Sequence, residues 1–136
     1  MNKTQTNHAI QNATRHMESI IEMMAALDNG GTVDGEELDS EQVQERIQES
    51  ILDVEVRTDW HTPGDNDNKP TEYMILLSTG GPACRIVGEL DEYCQPTTAK
   101  LEWQDWGTYW TRVYTEITDD DEEVLLQYAQ CFYFGE

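Results

Sequence analysis

Two strongly apolar runs lie side by side around a tight reversal at Tyr73–Leu90, and the rest of the chain has to pack on them. Tyr73 to Leu77 is an unbroken apolar run of strand length. It is bounded by Ser78-Thr79-Gly80-Gly81-Pro82, where the glycines permit positive φ and the proline stiffens the turn. From Cys84 the pattern alternates, with Cys84, Ile86, Gly88 and Leu90 on one face and Arg85, Val87 and Glu89 on the other. The pattern predicts a β-hairpin with a five-residue loop.

Elsewhere the period changes. Ala13, Met17, Ile20, Met24 and Leu27, joined by Ile10 and Ile21, form the stripe of an amphipathic helix about five turns long, ended by Asn29-Gly30-Gly31. Methionine is adaptable packing material. The stripe is expected to cover the sheet or to pair with a second copy of itself, as an appendage on a flexible Gly30–Gly35 linker. Asp39 and Gln42 have capping-box spacing, and Val43, Ile47 and Ile51 give a short apolar edge to a second helix. Val54 to Trp60 reads as a strand with Leu52, Val54, Val56 and Trp60 facing inward. Ala99, Leu101 and Trp103 alternate with Lys100, Glu102 and Gln104, and Asp105-Trp106-Gly107 breaks that strand. Thr108 to Tyr114 is either a last edge strand or an ordered loop. Thr118 and Asp121 make a second capping box, before a buried stripe of Leu125, Tyr128, Ala129 and Phe132. The expected fold is α+β: an antiparallel sheet of four to five strands, a C-terminal helix on one face and two N-terminal helices. One domain spans 1–136, with 1–35 as N-terminal helix and linker and 52–136 as the sheet-and-helix body.

Charge narrows the functional classes. The 136 residues include 28 acidic and 8 Lys and Arg residues, a formal net charge of −20, yet 38% are apolar. The apolar content argues for a folded polyanion over acidic disorder. Such a charge repels nucleic acid and anionic membranes, so electrostatically chosen partners are basic proteins. Cys84, Cys94 and Cys131 have no Cys-x-x-Cys spacing, which indicates neither a disulfide framework nor a zinc site, and a reducing cytosol fits them. Neither an export leader nor an apolar run long enough to span a membrane is apparent.

The carboxylates are regularly spaced. Glu37, Glu41, Glu45, Glu49 and Asp53 follow at i+4, a slowly winding row if the segment is helical, with about 6 Å of rise per step. Each like-charge neighbour costs about 0.2–0.5 kcal/mol, and Arg46 is placed to reach Glu49. A nucleic-acid strand also presents regular anions, so Glu36, Glu37, Glu41, Glu45, Glu49, Asp53, Glu55 and Asp59 are candidate partner-binding residues. Asp119, Asp120, Asp121, Glu122 and Glu123 are a second candidate group, although stabilisation of a helix start explains them without any function. Trp103, Trp106, Tyr109 and Trp110 form a third surface, with core packing the simpler reading.

Catalytic and metal patterns are thin. His8 and His16 are about 12 Å apart along a helix and need a third element to share a metal ion. Asp65, Asp67 and Asn68 lack the glycine and closing glutamate of a calcium loop. His61, Asp105 and one cysteine are the remaining candidates for a thiol site, but Cys84 is expected to be buried, and Cys94 and Cys131 have no basic neighbours. The expectation is a non-enzyme with no cofactor and no metal.

From Leu52 onward a resemblance is carried by Val54-Glu55-Val56-Arg57, Trp60-His61, Pro63-Gly64, Ile75-Leu76-Leu77, Gly80-Gly81-Pro82-Ala83, Arg85 through Glu92, Gln104 through Thr108, Trp110-Thr111 and Cys131 through Glu136. Together these segments resemble a family of small, largely uncharacterised acidic proteins of phages, prophages and integrative elements. The mobile-element setting implies anti-defence functions such as anti-CRISPR or anti-restriction, and no activity comes with it. The resulting expectation is an inhibitor that mimics nucleic acid and occupies the basic DNA channel of a host nucleic-acid-binding complex of the CRISPR effector type. The alternative is an interaction module that binds through the aromatic cluster or the first helix, with a homodimer through that helix as one form. A third reading is a structural phage protein whose acidity serves solubility.

Overall fold

The computed structural model describes residues 3–33, 35–64, 69–79, 82–105, 109–113 and 118–135, with side chains from residue 8 onward. Three helices and seven strands occur among them: α1 (Lys3–Asn29), β1 (Gly31–Val33), β2 (Glu36–Leu38), α2 (Ser40–Glu49), β3 (Asp53–Arg57), β4 (Glu72–Ser78), β5 (Ala83–Glu89), β6 (Lys100–Gln104), β7 (Thr111–Arg112) and α3 (Asp119–Ala129). β3 to β7 form one antiparallel sheet in chain order, and β1 and β2 form a separate ribbon. The class is α+β, with a five-stranded sheet and a C-terminal helix. One helix stands at the N-terminal end; the second helix before the sheet, α2, follows the ribbon.

The hairpin at the centre follows the sequence pattern closely. Ile75 sits opposite Ile86, and Ile86 opposite Leu101, so the buried side chains of β4, β5 and β6 form one row across the sheet. The register shifts between Leu76 and Ser78, a bulge at Leu77 that lets Ser78 meet Cys84. The Gly80-Gly81 turn itself lies outside the described residues. At the other end of the hairpin Tyr73 faces Gly88, and its hydroxyl donates to the Thr98 carbonyl at 2.6 Å. A Cβ on Gly88 would sit 2.0 Å from that same carbonyl oxygen and 2.7 Å from the Tyr73 ring, so the close approach of ring and strand requires glycine. Phe134 completes the corner, its ring centroid 4.8 Å from that of Tyr73.

α1 is longer than its stripe predicts, and it belongs to the body of the protein. Ala13, Met17, Ile20 and Met24 are buried in the same core cluster as Ile75, Ile86 and Leu101, with Ala9, Met23 and Ala26 beside them. α1 packs on β5 and β6 and meets both other helices. An apolar stripe spent in this way is not available for self-pairing, which corrects the expected homodimer through the first helix. The flexible linker is also corrected. Gly30 ends α1 at φ +71, its N–H bonded to the Ala26 carbonyl at 2.8 Å. The chain then turns directly into the β1–β2 ribbon, which buries Val33 against the core.

Both predicted capping boxes form. Asp39 accepts from the Gln42 N–H at 2.8 Å while the Gln42 side chain accepts from the Asp39 N–H at 3.0 Å. Thr118 and Asp121 reciprocate in the same way at the start of α3, and Leu125, Tyr128, Ala129 and Phe132 are buried as the stripe predicts. The C-terminal ends of the two helices are tied together. Tyr128 and Ser50 share a hydroxyl hydrogen bond of 2.5 Å, and Gln48 donates to the Cys131 carbonyl at 2.8 Å.

β3 departs from expectation. Leu52 is 61% exposed, Val56 43% and Trp60 fully exposed, where an inward-facing strand was expected. The strand stops at Arg57, and β3 is the edge of the sheet, two strands away from the β5–β6 pair on which α1 lies. The last edge strand, β7, is reduced to Thr111–Arg112. Asp65–Asn68, Trp106–Thr108 and Tyr114 lie outside the described residues. No helix among the described residues is long and apolar enough to cross a membrane.

Candidate functional site

α2 is a short amphipathic helix held at both ends. Val43 and Ile47 are its buried residues. Residues four apart on a helix advance about 6 Å along the axis and about 40° around it, which puts Glu45 opposite the buried pair with Glu41 and Glu49 on either side. All three are exposed, and none of their carboxylates makes a hydrogen bond or ion pair among the described residues. The expected row of five is shorter than its spacing suggests. The cap at Asp39 starts the helix after Glu37, which lies in β2, and Asp53 lies in β3 beyond the end at Ser50. Arg46 pairs with Glu36 at 2.8 Å, so Glu36 is neutralised locally. Beside Glu45 and Glu49 lies a shallow depression floored by Leu27, Ile47 and Cys131.

The other candidate carboxylates are scattered over different places. Asp53 and Glu55 are on the open face of the sheet, and Asp59 follows β3, accepting from the Thr71 hydroxyl at 3.1 Å. At the start of α3, Asp121 is the cap partner of Thr118, and Glu122 binds Arg112 at 2.7 Å. Asp119, Asp120 and Glu123 are left exposed. Asp119 is nine residues before Tyr128, about 13 Å along the helix from the α2 junction.

The open face of the sheet has a different composition. Its cross-strand rows run Arg57, Glu72, Glu89; then Glu55, Met74, Val87, Lys100; then Asp53, Leu76, Arg85, Glu102, Arg112. Arg57 pairs with Glu72, and Arg85 with Glu102 at 2.8 Å. The Arg85 guanidinium also lies 4.1 Å from the centre of the Trp110 ring, a cation–π contact. From Arg85 through Glu102 and Arg112 to Glu122, charges alternate across β5, β6 and β7 onto α3. Sequence reasoning did not see this ladder, because it exists only once the strand register is known.

The aromatic cluster separates. Trp103 is buried in the core, Trp110 stacks on Arg85, Tyr109 is 92% exposed, and Trp106 is outside the described residues. The three thiol-site candidates are apart as well. Asp105 is buried beyond β6, while His61 lies past β3, three strand spacings or about 14 Å across the sheet. Burial pushes the Cys84 thiol up to about 12, and raises Cys131 too, the opposite of nucleophile activation. Among the described residues no three His, Cys, Asp or Glu side chains form a metal-binding group.

Comparison with family models, with curated proteins and with solved structures gives no match for this chain.

Proposed function

We propose that this protein is a binding protein that uses α2 to occupy a Lys- and Arg-lined nucleic-acid-binding surface on another protein, and so blocks it. The observation that carries the reading is the set Glu41, Glu45 and Glu49: three exposed carboxylates spaced about 6 Å along the axis, with no counterion among the described residues, on a helix capped at Asp39 and tied at Gln48 and Ser50 to the α3 end. A fixed helix binds without the entropy loss of ordering a loose acidic segment. A partner arginine or lysine can lay its aliphatic stem on Leu27 and Cys131 and bring its charged head to Glu45 and Glu49. The target class, a host nucleic-acid-binding defence complex of the CRISPR effector type, rests on the resemblance of residues 52–136 to mobile-element proteins. Binding of this kind is fast, weakens steeply with salt and competes with nucleic acid for the same basic groove.

The test is reversal of the row, Glu41→Lys with Glu45→Lys and Glu49→Lys. The triple variant keeps the fold and loses inhibition; undiminished inhibition removes the mimic reading. A second reading, an interaction module that ignores salt, is favoured by the full exposure of Trp60 and Tyr109. In that case Trp60→Ala abolishes binding and the triple reversal does not.

A further inference from the structure

β3 is one edge of the five-stranded sheet, with no further strand paired to it among the described residues. Its side chains sort by face. Asp53, Glu55 and Arg57 stand on the open side, while Val54 and Val56 stand on the side of Ile75 and Tyr73, which they face across the β3–β4 pair. Leu52 and Val56 are nonetheless 61% and 43% exposed, so the edge offers both unpaired backbone and uncovered apolar surface. The sequence of this edge, Asp-Val-Glu-Val-Arg, is complementary to itself under a two-fold rotation. Laid antiparallel on a second copy with the axis at Glu55, Asp53 falls opposite Arg57 of the second copy, and Val54 falls opposite Val56 of the second copy. Each pair then occurs twice.

We propose that β3 pairs antiparallel with β3 of a second copy in this register, joining the two five-stranded sheets into one continuous sheet. Main-chain hydrogen bonds close both edges, the four valines pack on one side, and two Asp53–Arg57 cross-pairs form on the other. Two Glu55 carboxylates meet at the axis, and each copy carries a net charge of −20, so repulsion opposes the contact. A five-residue edge also buries less than the 1,200–2,000 Å² of a standard stable interface, so association belongs at concentrations of about 10–100 µM. No residue of the α2 row takes part, and the dimer stands or falls separately from the function proposed above.

Sedimentation velocity of the full chain tests this, from about 1 to about 500 µM at about 0.15 M salt, with far-UV circular dichroism of each variant to verify the fold. The wild-type mass should rise from 15.6 kDa toward twice that value. Val56→Lys and Arg57→Asp should each hold the mass at one chain, and Asp53→Arg combined with Arg57→Asp should restore the rise by rebuilding the cross-pairs. A single-chain mass for wild type at every concentration overturns the proposal and leaves the charged side chains as guards of the edge. Association unaffected by Val56→Lys and Arg57→Asp, or not restored by the double swap, overturns it equally.

Discussion

The open face of the sheet and the outer face of α2 handle charge in opposite ways. On the sheet, four of the chain's eight basic residues, Arg57, Arg85, Lys100 and Arg112, stand among five of its 28 acids. Three of the four are in ion pairs, and Arg85 is also stacked on Trp110. On α2, Glu41, Glu45 and Glu49 have no counterion among the described residues, and the single arginine of that helix is turned to Glu36. A protein with so few cations has concentrated them where strands must lie side by side. The surplus negative charge is therefore left to the helices and loops, where it costs little in water and is free to meet a partner. The difference teaches that net charge alone does not say where a surface is unbalanced; the placing of the few cations does.

The comparison can be broken most severely at Gly88, on the inner side of the same sheet. Gly88→Ala forces a methyl against the Thr98 carbonyl and the Tyr73 ring. We expect a loss of about 3 kcal/mol or more in urea unfolding, and a near-neutral result would mean that the Tyr73 corner is loose. Alkaline titration follows. Burial raises Cys84 from an ordinary 9.0 to about 12 and Tyr128 from 10.0 to about 12, so the folded state favours the protonated forms. The stability they confer is complete below pH 9 and is lost as pH climbs from 9 toward 12. Cys84→Ala should make this loss shallower between pH 9 and 12, with Cys131 and Tyr128 still contributing, as read from urea midpoints across pH.

The sharpest pair of variants reverses one carboxylate on each face. Glu102→Lys leaves three cations together on β5, β6 and β7 and removes the partner of half-buried Arg85, at a cost of about 1–3 kcal/mol. Glu45→Lys relieves like-charge repulsion with Glu41 and Glu49 and should stabilise slightly, by about 0.2–0.5 kcal/mol per pair. Opposite signs in the same unfolding assay would sustain the contrast between the faces; equal signs would erase it.

Much of the architecture was legible because local rules act alone in those places. The hairpin, the β6 alternation, both capping boxes and the α3 stripe depend on residues a few positions apart, and each survives in the structure. The failures have a common cause in long-range context. Whether Leu52, Val56 and Trp60 are covered depends on β3 being an edge, which alternation does not encode. Whether Gly30–Gly35 is a linker or part of a ribbon depends on what Val33 finds to pack against. The row of five carboxylates became three because the Asp39 cap, a signal the sequence did contain, fixes where helical spacing begins, and because the helix ends at Ser50 before Asp53. The Arg85–Glu102–Arg112–Glu122 ladder had no such signal, since it joins residues as much as 37 positions apart through register alone.

Capture on the immobilised protein from a bacterial lysate tests the α2 reading most directly, with wild type and the Glu41→Lys, Glu45→Lys, Glu49→Lys variant run in parallel and short duplex DNA used for elution. The predicted result is a nucleic-acid-binding protein retained by wild type, released by DNA and absent from the variant. A partner held equally by both proteins, or one that DNA does not displace, would contradict it.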